Sequence, residues 1–119
     1  MNKNELRDFL LSKPFAIEDY PFDMVTAVYK VGGKMFALLS THESDRFSIN
    51  LKNTPDNNIL LRDMYDEVIE GWHMNKTHWI TVYLDRTLED KLIMRLIDDS
   101  YNIVYKSLTK KNKEVLENS

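Results

Sequence analysis

The chain has 119 residues, 43% of them hydrophobic and 29% charged, which are the proportions of one compact domain with a single core. It contains no cysteine, so a disulfide framework, a thiolate nucleophile and a cysteine-ligated zinc are all excluded. Sixteen Lys plus Arg against nineteen Asp plus Glu leave a formal charge of -3, the wrong overall sign for a protein that holds nucleic acid by bulk charge.

The first predicted element is a helix near Asn4–Ser12, with Leu6, Phe9 and Leu10 on one face and Pro14 ending it. The opening "MNKNELRDFLLSKP" carries acids and no small-residue cleavage site, and apolar runs are about four residues long, so a cytoplasmic protein without membrane attachment is expected. "VTAVYKV" alternates, with Val25, Ala27, Tyr29 and Val31 on one face and Thr26, Val28 and Lys30 on the other. Gly32-Gly33 then supplies a two-residue primed turn into "KMFALLS", because both central positions need positive φ. "RFSINLK" is a half-buried strand, Phe47, Ile49 and Leu51 inward and Arg46, Ser48, Asn50 and Lys52 outward.

A second helix opens with Thr54 as N-cap and Pro55 at its first position, and places Leu60, Leu61, Met64, Tyr65 and Val68 at helical spacing. "HWITVYL" is β-branched and aromatic, as strands are. The third helix is the longest: "TLED" suggests Thr87 as cap with Asp90 three residues on, and Leu92, Ile93, Leu96, Ile97, Ile103, Val104 and Leu108 form its apolar stripe. From Thr109 the tail is polar, either a short amphipathic helix or a frayed end. Helix, three strands, helix, strand and long helix describe an α+β domain over residues 1–119. It is a two-layer structure with an antiparallel sheet, a long C-terminal helix and two shorter helices, its core spanning about 4–108 and the tail 109–119.

Charge follows the same division. The segments 24–42, 46–55 and 71–84 hold Lys30, Lys34, Arg46, Lys52 and Lys76 without an acid, while Asp63, Asp66, Glu67 and Glu70, and then Asp85, Glu89, Asp90, Asp98 and Asp99, fall in or beside helical stretches. A locally basic sheet and acidic helices are therefore expected. "EGWHMNKTHWITVYL" concentrates Trp72, His73, Asn75, Lys76, His78 and Trp79 in one place. Buried tryptophan rings and a turn-forming Asn75 would account for much of it. His73 and His78 lie five apart on no regular face with no third ligand nominated by spacing, so no metal is expected, and no cofactor motif is present. The chain also lacks a nucleophile elbow and an H-E-x-x-H pair, and a non-catalytic protein is expected.

"VYKVGGKMFALL", "INLK", "GWHMNKTHWITVYLD" and "LIDDSYNIVYKSL", in this order and spacing, resemble the MmcQ/YjbR family, whose members carry a G-[YW]-H-M-N-K-x-H-W block; the likeness runs from about Leu6 to Leu108. Trp72 stands where the family usually has Tyr, and Ile80 where it often has Asn. The resemblance implies a double-wing, CyaY-like α+β fold and a DNA-binding function. On that reading Lys34, Arg46, Lys52 and Lys76 would meet phosphates, Asn75 a base edge or phosphate, and Trp72 or His73 would stack or wedge, with His78 beside them. The competing reading is a protein-interaction module, or one that binds a small acidic ligand in a cleft, acting as a monomer or weak dimer.

Overall fold

The structure, a computed structural model, describes residues 1–42 and 46–119. Along the chain run α1 (Lys3–Leu11), β1 (Ile17–Asp19), β2 (Thr26–Val31), β3 (Lys34–Ser40), β4 (Ser48–Lys52), α2 (Pro55–Met64), β5 (Val68–Glu70), β6 (Trp79–Tyr83), α3 (Asp90–Ser107) and α4 (Lys110–Glu117). The strands form one sheet in the order β1-β2-β3-β4-β6-β5, every neighbouring pair antiparallel. This is the α+β, antiparallel architecture that the alternation in the sequence implied. No helix among the described residues is long and apolar enough to cross a membrane.

One face of the sheet carries the core. Ala27, Tyr29, Val31, Phe36, Leu39, Ile49, Leu51, Ile80 and Val82 are buried there against Leu6 and Leu10 of α1 and Ile93, Leu96, Ile97, Tyr101 and Val104 of α3. Burial of such side chains is worth about 1.5–3 kcal/mol each relative to leaving them exposed, so α3 is held by its apolar stripe. The Gly32-Gly33 turn has the expected left-handed geometry, φ +57° and +82°, and Gly32 also leaves room for Leu108, whose Cδ1 would lie 2.7 Å from an added Cβ.

Several boundaries differ from the sequence reading. The second helix stops at Met64; Tyr65 is extended, and Val68 belongs to β5, paired with Val82. Leu60 and Met64, expected to face inward, are exposed, and the buried residue of α2 is instead Asn58. Asn58 donates to the carbonyls of Asn53 and Thr77, which sets the rotation of the helix against its hydrophobic pattern. Thr87 does not cap α3: the N-cap is Glu89, without a side-chain bond, and Asp90 pairs with the amino terminus at 2.9 Å. β1 was not anticipated. The polar tail forms α4, capped by Thr109 and lodging Leu116 against the core.

β3 contains a bulge. Tyr29 pairs with Ala37 while Lys30 pairs with Met35, leaving Phe36 as the extra residue. Phe36 and Ala37 therefore both turn toward the helices, where the Phe36 ring meets Tyr101 edge-on at 5.2 Å, and Met35 and Leu38 both turn to the other face. The fully buried Ser100 of α3 closes the irregularity: its Oγ donates to the Phe36 carbonyl at 2.6 Å and accepts from the Lys52 amide at 2.8 Å. Ser100→Ala would orphan both backbone groups in a dry site, so a loss of about 2–3 kcal/mol is expected. Urea denaturation checks this as a lowered midpoint with an unchanged slope.

Candidate functional site

The face of the sheet away from α1 and α3 lies open. Strand alternation and the bulge project Thr26, Met35, Leu38, Ser40, Ser48, Asn50, Thr81 and Tyr83 onto it. Part of this face is covered by a second small apolar cluster, in which Val28, Leu38 and Trp79 are buried with Met35 and Met74 against them. The covering piece is the connection between β5 and β6, residues 71–78.

That connection is held by its own polar groups. The Gly71 amide donates to the Trp79 carbonyl at 3.0 Å and the Trp79 amide to the Asn75 carbonyl at 3.0 Å. Asn75 Oδ1 accepts from the amides of Thr77 and His78, the Asx geometry that stabilises a turn. Lys76 Nζ donates to the Gly71 carbonyl at 3.1 Å. His73 is left-handed at φ +59°, a conformation uncommon outside glycine and asparagine that here reverses the chain above the sheet. Trp72 is fastened from both sides of its backbone: its amide donates to Thr81 Oγ1 at 2.8 Å, and its carbonyl accepts from Asn50 Nδ2 at 3.3 Å. Trp72 nonetheless stays 64% exposed, with the His73 ring edge-on to its indole at 4.8 Å.

Between this connection and the opposite wall runs a groove of about 660 Å³. Its opposite wall is Phe22, 66% exposed, with Asp23 beside it. Asp23 accepts from the amides of Val25 and Thr26, and these two bonds, helped by the Thr26 hydroxyl, hold its carboxyl below the usual range. Arg46 lines another side. Its guanidinium makes a two-pronged pair with Asp85 at 2.8 and 3.1 Å and lies 3.5 Å over the Tyr83 ring. The hydrogen bond to Asp85 raises the guanidinium, and the same bond lowers the Asp85 carboxyl.

The eight residues singled out from the sequence thus separate. Arg46, Trp72 and His73 meet in the groove. Lys52 lies on the same face, opposite Trp79 on the neighbouring strand, while Asn75, Lys76 and His78 belong to the connection outside the groove lining. Lys34 is elsewhere: its Nζ is 3.5 Å from both the carbonyl and the hydroxyl of Ser107, on the helix side. The open face is also less basic than its sequence suggested, because Arg46 is matched by Asp85, Lys30 by Asp19 at 3.3 Å, and Asp23 stands on the groove wall. Sequence reasoning passed over Phe22, Asn50, Thr81 and Tyr83. Asn50 was visible as an outward position on its strand, but nothing in the pattern distinguished it from Ser48.

Gly71 has a role that depends on space. A Cβ there would stand 2.8 Å from Trp79 Cβ and 2.9 Å from the Trp79 carbonyl oxygen. Gly71→Ala should therefore displace the connection and cost about 1–3 kcal/mol. A lowered thermal midpoint, with altered acrylamide quenching of tryptophan fluorescence, is the expected result.

Comparison with known proteins agrees with this geometry. The YjbR family model matches residues 11–103. The chain is 36% identical over 118 residues to the uncharacterized protein YbdF of Escherichia coli O157:H7, covering 96% of each chain, and 34% identical over 116 residues to the uncharacterized protein YjbR of Escherichia coli K12, covering 98% of each. Among solved structures it is similar to a Deinococcus radiodurans protein (TM-score 0.88, 34% identity, 96% of this chain and 86% of that one) and to a Pseudomonas syringae protein (TM-score 0.76, 30% identity, 87% and 99%). With the sheet, the long helix and the tryptophan-bearing connection all in place, the chain belongs to the YjbR family.

Proposed function

We propose that this protein is a non-catalytic, cytoplasmic DNA-binding module that takes a single strand on the open face of its sheet. The observation that carries the reading is Trp72. Its backbone is bonded to two strands while its indole projects into water beside a concave groove. Exposing a large aromatic on a fixed support costs hydrophobic free energy and serves folding poorly, whereas an unpaired base can stack on it. Phe22, His73 and the Arg46-capped Tyr83 line the same groove and extend the platform.

Charge favours a single strand over a duplex. Among the described residues Lys52 and Lys76 make no ion pair, whereas Lys30 and Arg46 are matched by carboxylates and Lys34 lies on the helix side. Two unmatched lysines on or beside this face are too few to grip the phosphates of a rigid duplex, but they can accompany stacking. A protein or small-ligand reading draws on the partly buried side chains of Met35 and Met74, adaptable surface that would also suit a flat organic group. A partner of that kind would be bound equally well with excess DNA present.

Fluorescence anisotropy with labelled single-stranded and duplex DNA at several salt concentrations tests the reading. Tighter binding of the single strand is expected, with log K falling against log salt at a slope of about -1.4 for two neutralised phosphates. Trp72→Ala should weaken binding roughly five- to a hundredfold. Asp85→Asn should release Arg46 and steepen the slope by about 0.7 while tightening binding at low salt. Preference for duplex, or indifference to Trp72, would sink the proposal.

A further inference from the structure

We infer that the corner where α3 meets α4 is a second phosphate-contacting surface, over which a single strand leaving the groove continues around the β2–β3 hairpin; this rests on the single-strand reading above. Five lysines gather there, Lys34, Lys106, Lys110, Lys111 and Lys113, against two acids of α4, Glu114 and Glu117, in a chain whose formal charge is -3. Contacts fix the grouping. Lys34 Nζ, from the hairpin, donates to the Ser107 carbonyl and hydroxyl at 3.5 Å, and Lys113 Nζ donates to the Lys106 carbonyl at 3.4 Å. Gly32 lies against Leu108, so the hairpin tip, the last turn of α3 and the first turn of α4 make one surface.

Stability accounts for only part of this cluster. Lys34 and Lys113 meet carbonyls at the C-terminal end of α3, where a cation is favoured. Lys110 and Lys111 instead open α4, whose first turn holds no acid, and a cation at that end opposes the helix dipole. Lys106, Lys110 and Lys111 are exposed, and among the described residues none of the five lysines takes part in an ion pair. Of the two acids, Glu117 is engaged by the Tyr105 hydroxyl at 2.7 Å.

Val115 is the one large apolar side chain that α4 exposes, so the corner lacks the apolar centre of a protein interface and the apolar face of a membrane-bound helix. Repeated phosphates need neither and meet it by charge. Continuity with the groove selects a nucleic-acid strand: Met35 lines the groove, and Lys34, its neighbour on β3, reaches Ser107 on the helix side. A single strand is flexible enough to follow that edge from one face to the other, whereas a duplex bends only over much longer distances. Bases then stack at Trp72 while phosphates further along are neutralised at the corner.

The experiment is an anisotropy titration of the full chain, across salt concentrations, with labelled oligo-dT of about 5 nucleotides, enough for the groove alone, and of about 20, enough to reach the corner. The slope of log K against log salt is expected to be steeper for the long oligonucleotide by about 2, the contribution of three further phosphates. Replacing both Lys110 and Lys111 (Lys110→Gln, Lys111→Gln) should take about 1.4 off the long slope and leave the short one unchanged. The melting temperature of that variant should not fall, whereas a structural role for these lysines would lower it. Lys91→Gln, at the other end of α3, should alter neither slope. Equal slopes for the two lengths, or a long slope indifferent to the double substitution, overturns the assignment; if Trp72→Ala still weakens both oligonucleotides, the single-strand reading survives. A lysine effect on the short oligonucleotide as well would mean that the corner binds apart from the groove, and overturns the continuous path. So does binding to phosphatidylserine-containing vesicles that the double substitution abolishes, if DNA shows no effect of length. If neither oligonucleotide binds, or neither responds to Trp72→Ala, the single-strand reading and the continuous path fail together.

Discussion

The eighteen residues of α3 lie across β2, β3 and β4, and their apolar stripe of Ile93, Leu96, Ile97, Tyr101 and Val104 seals one face of the sheet. The open face and its groove follow from that one-sided covering. A sheet with helices on only one side leaves its alternate side chains on an open face, and here many of them, Thr26, Ser40, Ser48, Asn50 and Thr81 among them, are polar, while the apolar ones gather in a small second cluster. The bulge at Phe36 makes the two faces unequal. By giving two successive residues to the helix side it commits Phe36 and Ala37 to the core and leaves Met35 and Leu38, two apolar side chains, on the exposed side. Ser100 permits the irregularity by bonding both the Phe36 carbonyl that the bulge displaces and the Lys52 amide.

The connection between β5 and β6 depends in turn on that apolar patch, which it helps to cover. Met74 packs against it, Gly71 approaches the Trp79 backbone too closely for any side chain, and Asn75 and Lys76 satisfy amides and a carbonyl of the turn. Most of the block that stands out in the sequence therefore builds a rigid support. Trp72 and His73, with Met74, are what it presents to the groove. Asn50 and Thr81 tie this support to the middle of the sheet, so the platform and the polar floor of the groove form one hydrogen-bonded unit.

Electrostatics shape the site by restraint. Arg46 is held flat over Tyr83 by a carboxylate that satisfies both of its prongs, and Lys30 is matched by Asp19. Such exposed pairs add little to stability, but they cancel much of the field that strand residues alone would create. What remains is an aromatic, hydroxyl- and amide-bearing concavity with modest positive charge near it. The proposed recognition therefore rests on stacking and directed hydrogen bonds, because long-range attraction is weak around a chain of net charge -3.

Local chemistry was enough to read much of this protein directly from its residues. Strand alternation in "VTAVYKV" and "RFSINLK", the Gly32-Gly33 turn and the apolar stripe of α3 depend on neighbours within a few positions, and so does the Asx turn at Asn75. Short edge strands escaped because three residues carry no period, and the apolar pattern of α2 was carried four residues past its end at Met64, to Val68; the rotation of the helix follows instead from the buried Asn58, which donates to the Asn53 carbonyl five residues away and to the Thr77 carbonyl nineteen away. The groove itself was decided only by tertiary structure. Phe22, Asn50, Trp72 and Thr81 come from four separate segments, and neither the pairing of Arg46 with Asp85 nor the turning of Lys34 toward Ser107 can be inferred from residues 39 or 73 positions away in the chain. Burial, charge matching and shared hydrogen bonds are properties of pairs brought together by folding, and a linear pattern carries no record of which pairs meet.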